Sequence, residues 1–453
     1  MRSESGDSGS GTPTAALKTL ATKIRSGATP RGGSSSYLGR RDRYTLVRSQ
    51  NVLDHAFTEE GLANISDSQA SELEGAELQP DDVLLNITGD GTTFGRSCLV
   101  PTRVLPACVN QHVMLIRLNR ERCHPGFLAA WLALPETKAY IESFNAGGSR
   151  RAITKGHIES FQVPIPDLSV QQRIAEFSAA INDRIDLLRQ TNATLESIAQ
   201  ALFKSWFIDF DPVRAKTEGR EPEGMDAATA ALFPAEFEES VLGLIPKGWS
   251  VQPIGELAEA VGGSTPDTKN AAFWEPALHH WTSPKDLSGA TAPVLLDTER
   301  KVSKAGLAKI SSGLLPVSTL LMSSRAPIGY LSVTRIPVAI NQGYIAMLPG
   351  GQLPPLYLYF WCQANMDAIK GRANGSTFME ISKKAFRPIP ALLPPSKVVE
   401  QFVELAKVLF DRLTENERQA YSLANLRDAL LPRLISGKLR LPEAQAQLED
   451  ALA

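Results

Sequence analysis

Two stretches of this 453-residue sequence hold residue types that could carry chemistry. Asp286, Glu299 and Lys301 follow Pro284 in the acid–acid–lysine order of metal-dependent nucleases, in which carboxylates bind the metal ion. No evident pair of strands would hold these side chains together, so the sequence favours a coincidental order. The segment Gly89–Gly95 is glycine-rich like a phosphate-binding loop, but it has no lysine and no helix after it. A turn between two strands is therefore the favoured interpretation.

Other signatures of catalysis are missing from the sequence. The chain has no GxxxxGK[ST] nucleotide loop and no GxSxG nucleophile elbow. Its six histidines show neither HExxH nor zinc-finger spacing, and its four cysteines form no CxxC pair. We therefore expect no catalytic residue, no metal site and no cofactor bound by this chain, and a role in binding.

Many of the polar residues are of the types that read DNA. Arginine makes paired hydrogen bonds with guanine, asparagine and glutamine do so with adenine, and lysine, serine and threonine mostly bind phosphates. The candidate DNA-binding residues are Arg41, Arg43, Arg48, Gln50, Asn51, Thr92, Arg96, Arg150, Arg151 and Lys155 in the first half of the chain, and Thr282, Lys285, Arg325, Arg372, Asn374 and Lys383 in the second. A solvated surface position is the alternative for any single one of them. Their occurrence as sets in matching loops favours binding.

A long, imperfect repeat relates the two halves of the chain. Asn110-Gln111 and Asn341-Gln342 each precede an apolar run, and stretches on either side of them also correspond, such as "IRSGATP" with "AVGGSTP". Each half therefore predicts one globular part. A polar pair that enters an apolar strand is either a buried hydrogen-bonding corner or a base-reading element, and the sequence leaves both open.

Each globular part is followed by a helix with the a/d spacing of a coiled coil. The spaced positions are Ile181, Ile185, Leu188, Asn192, Leu195, Ala199 and Leu202 in the first helix, and Leu409, Leu413, Asn416, Ala420, Leu423, Arg427 and Leu430 in the second. We expect the two helices to bury these seams against each other, with Asn192 and Asn416 in or beside the seam. Packing of each helix on its own globular half is the alternative.

These signals divide the chain into six parts. The predicted parts are a first domain (1–168), a first helix (169–210), a connector with one short helix (211–243), a second domain (244–395), a second helix (396–436) and a polar C-terminal tail or extra helical turn (437–453). A helix of about 40 residues is about 60 Å long, which can separate two DNA-reading domains by more than one turn of duplex.

The composition limits where and how the protein works. The net charge of −2 means that DNA binding has to depend on local basic patches or on partner subunits. No apolar run approaches the roughly 20 residues that span a bilayer, and the N-terminus lacks a signal-peptide block. Few cysteines without disulfide spacing fit a reducing compartment. We therefore expect a cytoplasmic protein with no membrane contact.

Several motifs, taken together and in order, resemble a known family. They include "VRSQNV" from Val47, "NQHVMLIR" from Asn110, "SWFIDFDPVRAK" from Ser205, "WTSPKDLS" from Trp281 and "LRDALLPRLISGKL" from Leu426. This set resembles the specificity (S) subunit of type I restriction-modification systems, from about residue 17 to residue 441. One departure is that no PxGW opening precedes the first half, whereas Pro246–Trp249 opens the second.

The resemblance implies a mixed α/β fold, with two α/β target recognition domains in a pseudo-twofold repeat joined by two long antiparallel coiled-coil helices. It implies that each domain recognises one half-site of a bipartite target in double-stranded DNA. The implied partners are two modification subunits, which methylate adenine with S-adenosylmethionine, and restriction subunits, which use ATP and Mg²⁺ to move along and cut DNA. The resemblance places no catalytic residue on the S subunit itself.

The apolar segments Glu196–Phe207 and Leu423–Leu434, one in each long helix, are expected to contact the modification subunits. For Trp206 and Phe207, packing against the chain's own globular parts is the alternative.

Two other functions remain open. An enzyme with methyltransferase or nuclease activity fused in the chain would carry an NPPY-type motif or a glycine-rich cofactor turn, and neither is present. A non-catalytic scaffold, or orphan subunit, would bind protein partners without defining a DNA target. The scaffold hypothesis predicts that Arg48, Arg151 and Arg325 can be changed to alanine without loss of activity, whereas DNA reading predicts weakened or relaxed binding.

Overall fold

The computed structural model describes residues 12–145, 151–375 and 379–452, and the chain divides into two compact units. The first unit comprises Met1–Leu187 and Gln419–Ala453, and the second comprises Leu188–Arg418. Candidate Arg150 lies outside the described residues. Among the helices of the described ranges, none is long and apolar enough to cross a membrane.

The first unit consists of short strands and helices that lead into a long helix. Its strands are β1 (Thr14–Ala16), β2 (Ala21–Ser26), β3 (Tyr44–Val47), β4 (Ala63–Ile65), β5 (Val83–Asn86), β6 (Thr88–Gly89), β7 (Ser97–Leu99), β8 (Ala107–Val109), β9 (Val113–Leu118), β10 (Arg151–Ala152) and β11 (Gln162–Pro164). Its helices are α1 (Leu17–Leu20), α2 (Asp67–Glu72), α3 (Pro125–Leu132), α4 (Pro135–Ser143), α5 (Lys155–Glu159) and the long α6 (Leu168–Phe207), whose second half belongs to the second unit.

The second unit repeats this composition. Its first elements are α7 (Asp211–Thr217), α8 (Ala227–Ala231), β12 (Phe237–Ser240), β13 (Gly243–Pro246), β14 (Ser250–Pro253), α9 (Ile254–Leu257), β15 (Ala260–Val261), β16 (His279–Thr282), α10 (Pro284–Leu287), β17 (Val294–Leu295), β18 (Arg300–Val302) and α11 (Lys304–Leu307). Then follow β19 (Leu320–Ser323), β20 (Leu331–Thr334), β21 (Ala339–Ile340), β22 (Tyr344–Met347), α12 (Pro355–Ala364), α13 (Met366–Lys370), α14 (Lys383–Phe386), β23 (Pro390–Leu393) and the long α15 (Ser396–Ile435). The last helix, α16 (Leu441–Leu452), returns to the first unit.

The two units share one sheet arrangement. In the first unit β2-β9-β5-β7 form an antiparallel sheet and β4-β3-β8 form a mixed one. In the second unit β15-β22-β19-β20 form the corresponding antiparallel sheet, which β17 extends in parallel, and β18-β16-β21 form the mixed one. The sequence repeat is therefore a repeat of sheet topology, and the predicted mixed α/β fold is confirmed.

An apolar helix covers the antiparallel sheet of each unit. Helix α3 packs on β5 and β7 in the first unit, and α12 packs on β19 and β20 in the second. Phe127 in α3, and Tyr357 and Phe360 in α12, are fully buried. Burial of these aromatic side chains removes large apolar areas from water and so stabilises each unit.

Helices α6 and α15 are 40 residues each and pack together as antiparallel partners, as predicted. Within the second unit, Asn416 Nδ2 donates to Asn192 Oδ1 (3.0 Å), while Phe203, later in α6, lies against Phe402, earlier in α15 (ring centroids 5.5 Å apart). Both asparagines are buried in the seam. A buried amide pair of this kind fixes the register of a coiled coil at some cost in stability.

The aromatic end of α6 is buried within the second unit. Trp206 and Phe207 are only 2% and 3% exposed, and they pack against Phe402 and Trp249. The expectation that these two side chains contact a modification subunit is therefore wrong, and packing within the chain is correct. Ile198, earlier in the same helix, does remain half-exposed.

The segments outside the predicted elements contain more structure than expected. Residues 211–243 hold two short helices and the first strand of the β12–β13 hairpin, because Val213 and Phe233 are buried in the core of the second unit. The predicted C-terminal tail forms the 12-residue helix α16, in which Leu441 and Ala444 are buried. Their spacing, continued at Leu448, gives α16 an apolar stripe that makes a helix stable here.

Candidate nucleic-acid interface

In the first unit, two segments that carry candidate residues bond to one turn, and a third such segment bonds to the second of them. The turn Asn110–His112, here called the first hub, joins β8 to β9, and its first N–H donates to the carbonyl of Val47 (3.0 Å). Its last carbonyl accepts from the N–H of Ile87 (3.0 Å), whose own carbonyl accepts from the N–H of Ile153 (3.0 Å). The candidates at 48–51 follow Val47 directly, those at 92–96 lie in the turn after Ile87, and those at 151–155 flank Ile153.

The second unit contains the same three backbone hydrogen bonds. The turn Asn341–Gly343, here called the second hub, donates its first N–H to the carbonyl of Thr282 (3.0 Å). Its last carbonyl accepts from the N–H of Ser324 (2.8 Å), whose carbonyl accepts from the N–H of Ile381 (3.0 Å). The candidates Lys285, Arg325 and Lys383 follow these anchor points.

The asparagine of each hub is a structural corner. Asn110 Oδ1 accepts from the N–H of His112 (3.0 Å), and Asn341 Oδ1 accepts from the N–H of Gly343 (2.8 Å). A side-chain oxygen that accepts a backbone N–H two residues further on stabilises a tight turn. Of the two alternatives left open by the sequence, the structure favours the hydrogen-bonding corner for these asparagines.

Arg48 and Gln50 lie side by side at the surface of the first unit. The Arg48 guanidinium donates to the carbonyl of Gly61 and lies over the ring of Tyr37, 5.6 Å from its centroid. Gln50 Nε2 donates to the same carbonyl (3.4 Å), and its side chain is exposed. The shared carbonyl orients both side chains before any ligand binds.

Asn51 is unavailable to a base in this conformation, which corrects its place among the candidates. Its side chain is fully buried, and its Oδ1 accepts from the N–H of Arg48 (3.1 Å). Its Nδ2 donates to the carbonyls of Thr58 (3.0 Å) and Glu60 (3.2 Å). All of its hydrogen-bonding groups hold the 48–61 loop together.

Arg41 and Thr282 are also committed to the fold. The Arg41 guanidinium donates to the carbonyls of residues 103–105 (2.9 to 3.2 Å). Thr282 is fully buried, with its hydroxyl 3.1 Å from the Tyr344 hydroxyl and 3.2 Å from Asp286 Oδ2. Breaking the contacts of Thr282 would leave buried groups without a hydrogen bond, so Thr282 is structural here. Arg41 remains exposed, so its part in the fold rests on the three hydrogen bonds to main-chain carbonyls and not on burial.

Five candidates form ion pairs near the surface. The pairs are Arg43–Asp67 (3.5 Å), Arg151–Glu142 (2.9 Å), Lys155–Glu159 (3.4 Å), Lys285–Glu299 (2.8 Å) and Arg325–Glu380 (3.9 Å). Surface ion pairs contribute only about 0–1 kcal/mol. A DNA phosphate can therefore compete for these cations.

The remaining candidates have side chains that make no hydrogen bond or ion pair within the described ranges. Thr92, Arg372, Asn374 and Lys383 are exposed, and Arg96 is partly exposed. They are the side chains most accessible to a ligand.

The glycine-rich segment 89–95 is a turn, as the sequence favoured. The N–H groups of Thr92 and Thr93 both donate to Asp90 Oδ1 (2.9 Å each). These hydrogen bonds lower the pKa of the Asp90 carboxyl, so a negative charge occupies the position that a phosphate would need. The side chains of Thr92 and Arg96 can still reach DNA, but the loop backbone is not a phosphate cradle.

A basic groove in the first unit is absent from the predicted set. It lies along the free edge of β2 and is lined by Lys18, Lys23, Arg25 and the candidate Lys155. Among described residues, the first three side chains form no ion pair. At the corresponding position of β15, Val261 replaces Arg25 in the second unit. The alternation of Lys23 and Arg25 around the buried Ile24 is the sequence signal that could have revealed the groove.

The nuclease-like residues of the second unit do not form a metal site. Asp286 Oδ2 accepts from the N–H of Ser283 (2.8 Å), and its Oδ1 accepts from the N–H of Glu299 (2.9 Å). The Glu299 carboxylate pairs with Lys285, whereas Lys301 lies 3.8 Å from Asp297. Over the ranges that the structure describes, no group of three or more histidine, cysteine, aspartate or glutamate side chains could hold a metal ion.

Comparison with known proteins identifies the family of the chain that contains these two hubs. A family model described as the type I restriction modification DNA specificity domain matches residues 48–197 and 246–421, one stretch in each half of the chain. The chain belongs to this family. It is a type I restriction-modification specificity subunit, the non-catalytic component that directs recognition of the DNA target.

Relatives of this specificity subunit match it over most or part of its length. It is 27% identical over 437 residues to the HindI type I restriction enzyme specificity subunit of Haemophilus influenzae, covering 87% of this chain and 94% of that one. It is 33% identical over 187 residues to the MjaIX type I restriction enzyme specificity subunit of Methanocaldococcus jannaschii, covering 41% of this chain and 43% of the relative.

The solved structures that align with this chain include two specificity subunits. The S subunit of a type I system from M. genitalium aligns with a TM-score of 0.49 at 14% identity, covering 93% of this chain and 95% of that one. The HsdS subunit from Thermoanaerobacter tengcongensis aligns with a TM-score of 0.33 at 17% identity, covering 94% and 97%. Family membership implies assembly of the present subunit with the other subunits of a type I complex and with DNA.

Proposed function

We propose that each unit of this specificity subunit reads one half-site of a bipartite DNA target. The observation that supports this is the pair of hubs, which anchor matching segments through the same backbone hydrogen bonds. The side chains beside the anchors differ, with Arg48, Gln50 and Arg151 in the first unit and Lys285 and Arg325 in the second. One scaffold with two sets of polar side chains fits the recognition of two different short sequences.

The accessible candidates divide into two roles under this proposal. Arg48, Gln50 and Arg325 have the side chains suited to base edges, whereas the lysines are suited to phosphates. The basic groove along β2 extends the phosphate-binding surface beyond Lys155. Glu159 also lines the groove and pairs with Lys155, whereas the other three cations form no ion pair among the described residues. Non-specific affinity for DNA depends on such contacts.

The catalytic steps belong to partner subunits in this proposal. Two modification subunits would bind S-adenosylmethionine and methylate adenine within the target. Restriction subunits would supply ATP- and Mg²⁺-dependent movement and cleavage. This subunit selects the DNA target, and the complex works in the cytoplasm.

The test is adenine-methylation sequencing of DNA from a host that expresses this chain with its modification subunit. We expect a bipartite methylated motif that disappears when this chain is deleted. Replacing residues 244–395 with the corresponding domain of a relative should change one half of the motif and leave the other half intact. Methylation that persists unchanged without the chain would instead support the scaffold alternative.

A further inference from the structure

The glutamine of each hub makes a side-chain contact that the backbone scaffold does not require. The hydroxyl of Thr29 donates to Gln111 Oε1 in the first unit. The hydroxyl of Thr265 donates to Gln342 Oε1 in the second (2.7 Å). Each threonine belongs to a short loop that follows the edge strand of the antiparallel sheet, and we call Gly27–Pro30 and Gly263–Pro266 the clasp loops.

Both clasp loops press against the strand that leads into the hub. A Cβ atom at Gly27 would lie 1.6 Å from the carbonyl oxygen of Val109, and one at Gly263 would lie 1.8 Å from that of Ile340. Only glycine fits such a close backbone approach. The prolines that end both loops, Pro30 and Pro266, are buried. The loops are therefore held by packing and by one main-chain hydrogen bond each, from the N–H of Gly27 to the carbonyl of Asn110 (3.1 Å) and from the N–H of Ser264 to that of Ile340 (3.1 Å). The threonine side chain of each loop is held by the glutamine.

The threonine–glutamine pairs contribute little to stability. Thr29, Gln111, Thr265 and Gln342 are all exposed, so either partner can exchange its hydrogen bond for one with water. A bond of this kind mainly selects one orientation of a loop among several. Its occurrence at the same place in both units, beside the three anchored segments, points to a role in the shared function.

In the first unit the contact continues towards a candidate DNA-binding strand. Gln111 Nε2 lies 3.3 Å from His112 Nε2, and His112 Nδ1 lies 2.6 Å from the Thr88 hydroxyl. Thr88 is part of β6, which pairs with β10 and so with Arg151. The clasp loop, the hub and the Arg151 strand are thus one hydrogen-bonded surface.

We propose that Gln111 and Gln342 are positioning residues for DNA recognition. Each holds its clasp loop beside the three anchored segments of its unit, as a fourth segment of the DNA-binding surface. The loop then matches the shape of the DNA at that half-site without reading a base itself. Gln111 acts on the first half-site and Gln342 on the second. This inference rests on the proposed function, in which each unit reads one half-site.

The test removes the hydroxyl donors and keeps the shape of the side chains. Thr29→Val and Thr265→Val lose the hydrogen bond, whereas the matched controls Thr29→Ser and Thr265→Ser keep it. Each variant is assembled with the modification subunit, and methylation rates are measured on duplexes with a single base change in one half-site or the other. The ratio of cognate to altered rate is the discrimination for that half-site.

We expect Thr29→Val to lower discrimination at one half-site by about 3- to 10-fold, the range that one hydrogen bond supports. Thr265→Val should lower it at the other half-site by a similar factor, and both serine variants should behave like the wild type. The unfolding temperature should not change. If the wild-type complex does not discriminate at all, the proposed function fails.

Other results overturn only the positioning role. One is a wild-type complex that discriminates while both valine variants keep its ratios. Another is a valine variant that loses discrimination at both half-sites together. A third is a loss of discrimination that accompanies a lower unfolding temperature, because the hydrogen bond would then be a general structural contact.

Discussion

Removing the unpaired cations of the β2 groove should weaken DNA binding without changing its specificity. The variant is Lys18→Ala, Lys23→Ala and Arg25→Ala together, with Lys155 retained because it already pairs with Glu159. Each phosphate contact with duplex DNA contributes about −0.9 to the slope of log affinity against log salt. Three lost contacts should therefore make the slope less negative by about 2.7, and affinity at about 0.1 M salt should fall by about 10²- to 10³-fold.

The assay is a salt titration of duplex binding by the complex of this chain with its modification subunit. Cognate duplexes and duplexes with altered half-sites should lose affinity by the same factor, because phosphates carry no sequence information. The matched control is the triple alanine variant of Lys397, Lys438 and Arg440, which removes the same charge from exposed positions outside the groove. An unchanged slope, or an equal change in the control, would refute the assignment of phosphate contacts to the groove.

Three further changes test other parts of the molecule. Arg48→Ala should relax one half of the target and Arg325→Ala the other, each at a cost of about 1–3 kcal/mol in binding, as seen by comparing cognate with altered duplexes. In the seam, Asn416→Leu should lower stability by about 1–3 kcal/mol by stranding Asn192, and the added Asn192→Leu should recover most of that loss in denaturant unfolding; additive losses would contradict this. Burial, together with the nearby charges of Arg427 and Lys138, lowers the pKa of His55 to about 3. Between about pH 6.5 and pH 3, the imidazole of His55 therefore binds a proton in the unfolded chain and not in the folded one. Stability should then fall with decreasing pH by up to about 1.4 kcal/mol per unit until about pH 3, and His55→Asn, which tolerates the left-handed backbone there, should reduce this dependence in thermal unfolding.

The parts of the fold that the sequence could predict are those marked by a periodic spacing of apolar residues or by the internal repeat. The a/d spacing identified both long helices, and it placed Asn192 and Asn416 where the structure has them. The environment of the aromatic end of α6 is harder to predict, because Trp206 has the same apolar character whether it contacts a partner subunit or the core of its own chain. Its burial depends on Trp249 and Phe402, which are distant in sequence.

The sequence identified segments that the structure brings beside the two hubs, but it did not distinguish accessible side chains from those that hold the backbone. Contact of the accessible side chains with DNA stays a prediction. Residue type selected Asn51 and Thr282 as well as Arg48, because amides and hydroxyls serve both DNA and the backbone. Which role applies depends on the carbonyls that surround each side chain after folding. The hydrogen bond between Thr265 and Gln342 joins positions that are too far apart in the sequence for a local pattern to connect them.

The hubs also bear on how a protein of this kind can acquire a new target. Three of the bonds that anchor each hub run from main chain to main chain, so they form whatever side chains the flanking loops carry. When those loops are exchanged or mutated, the main-chain hydrogen bonds that hold them in place can still form. The loops of one unit can therefore change by substitution or recombination while the other unit still recognises its own half-site. Loops can likewise be grafted between the same anchor points by protein engineering.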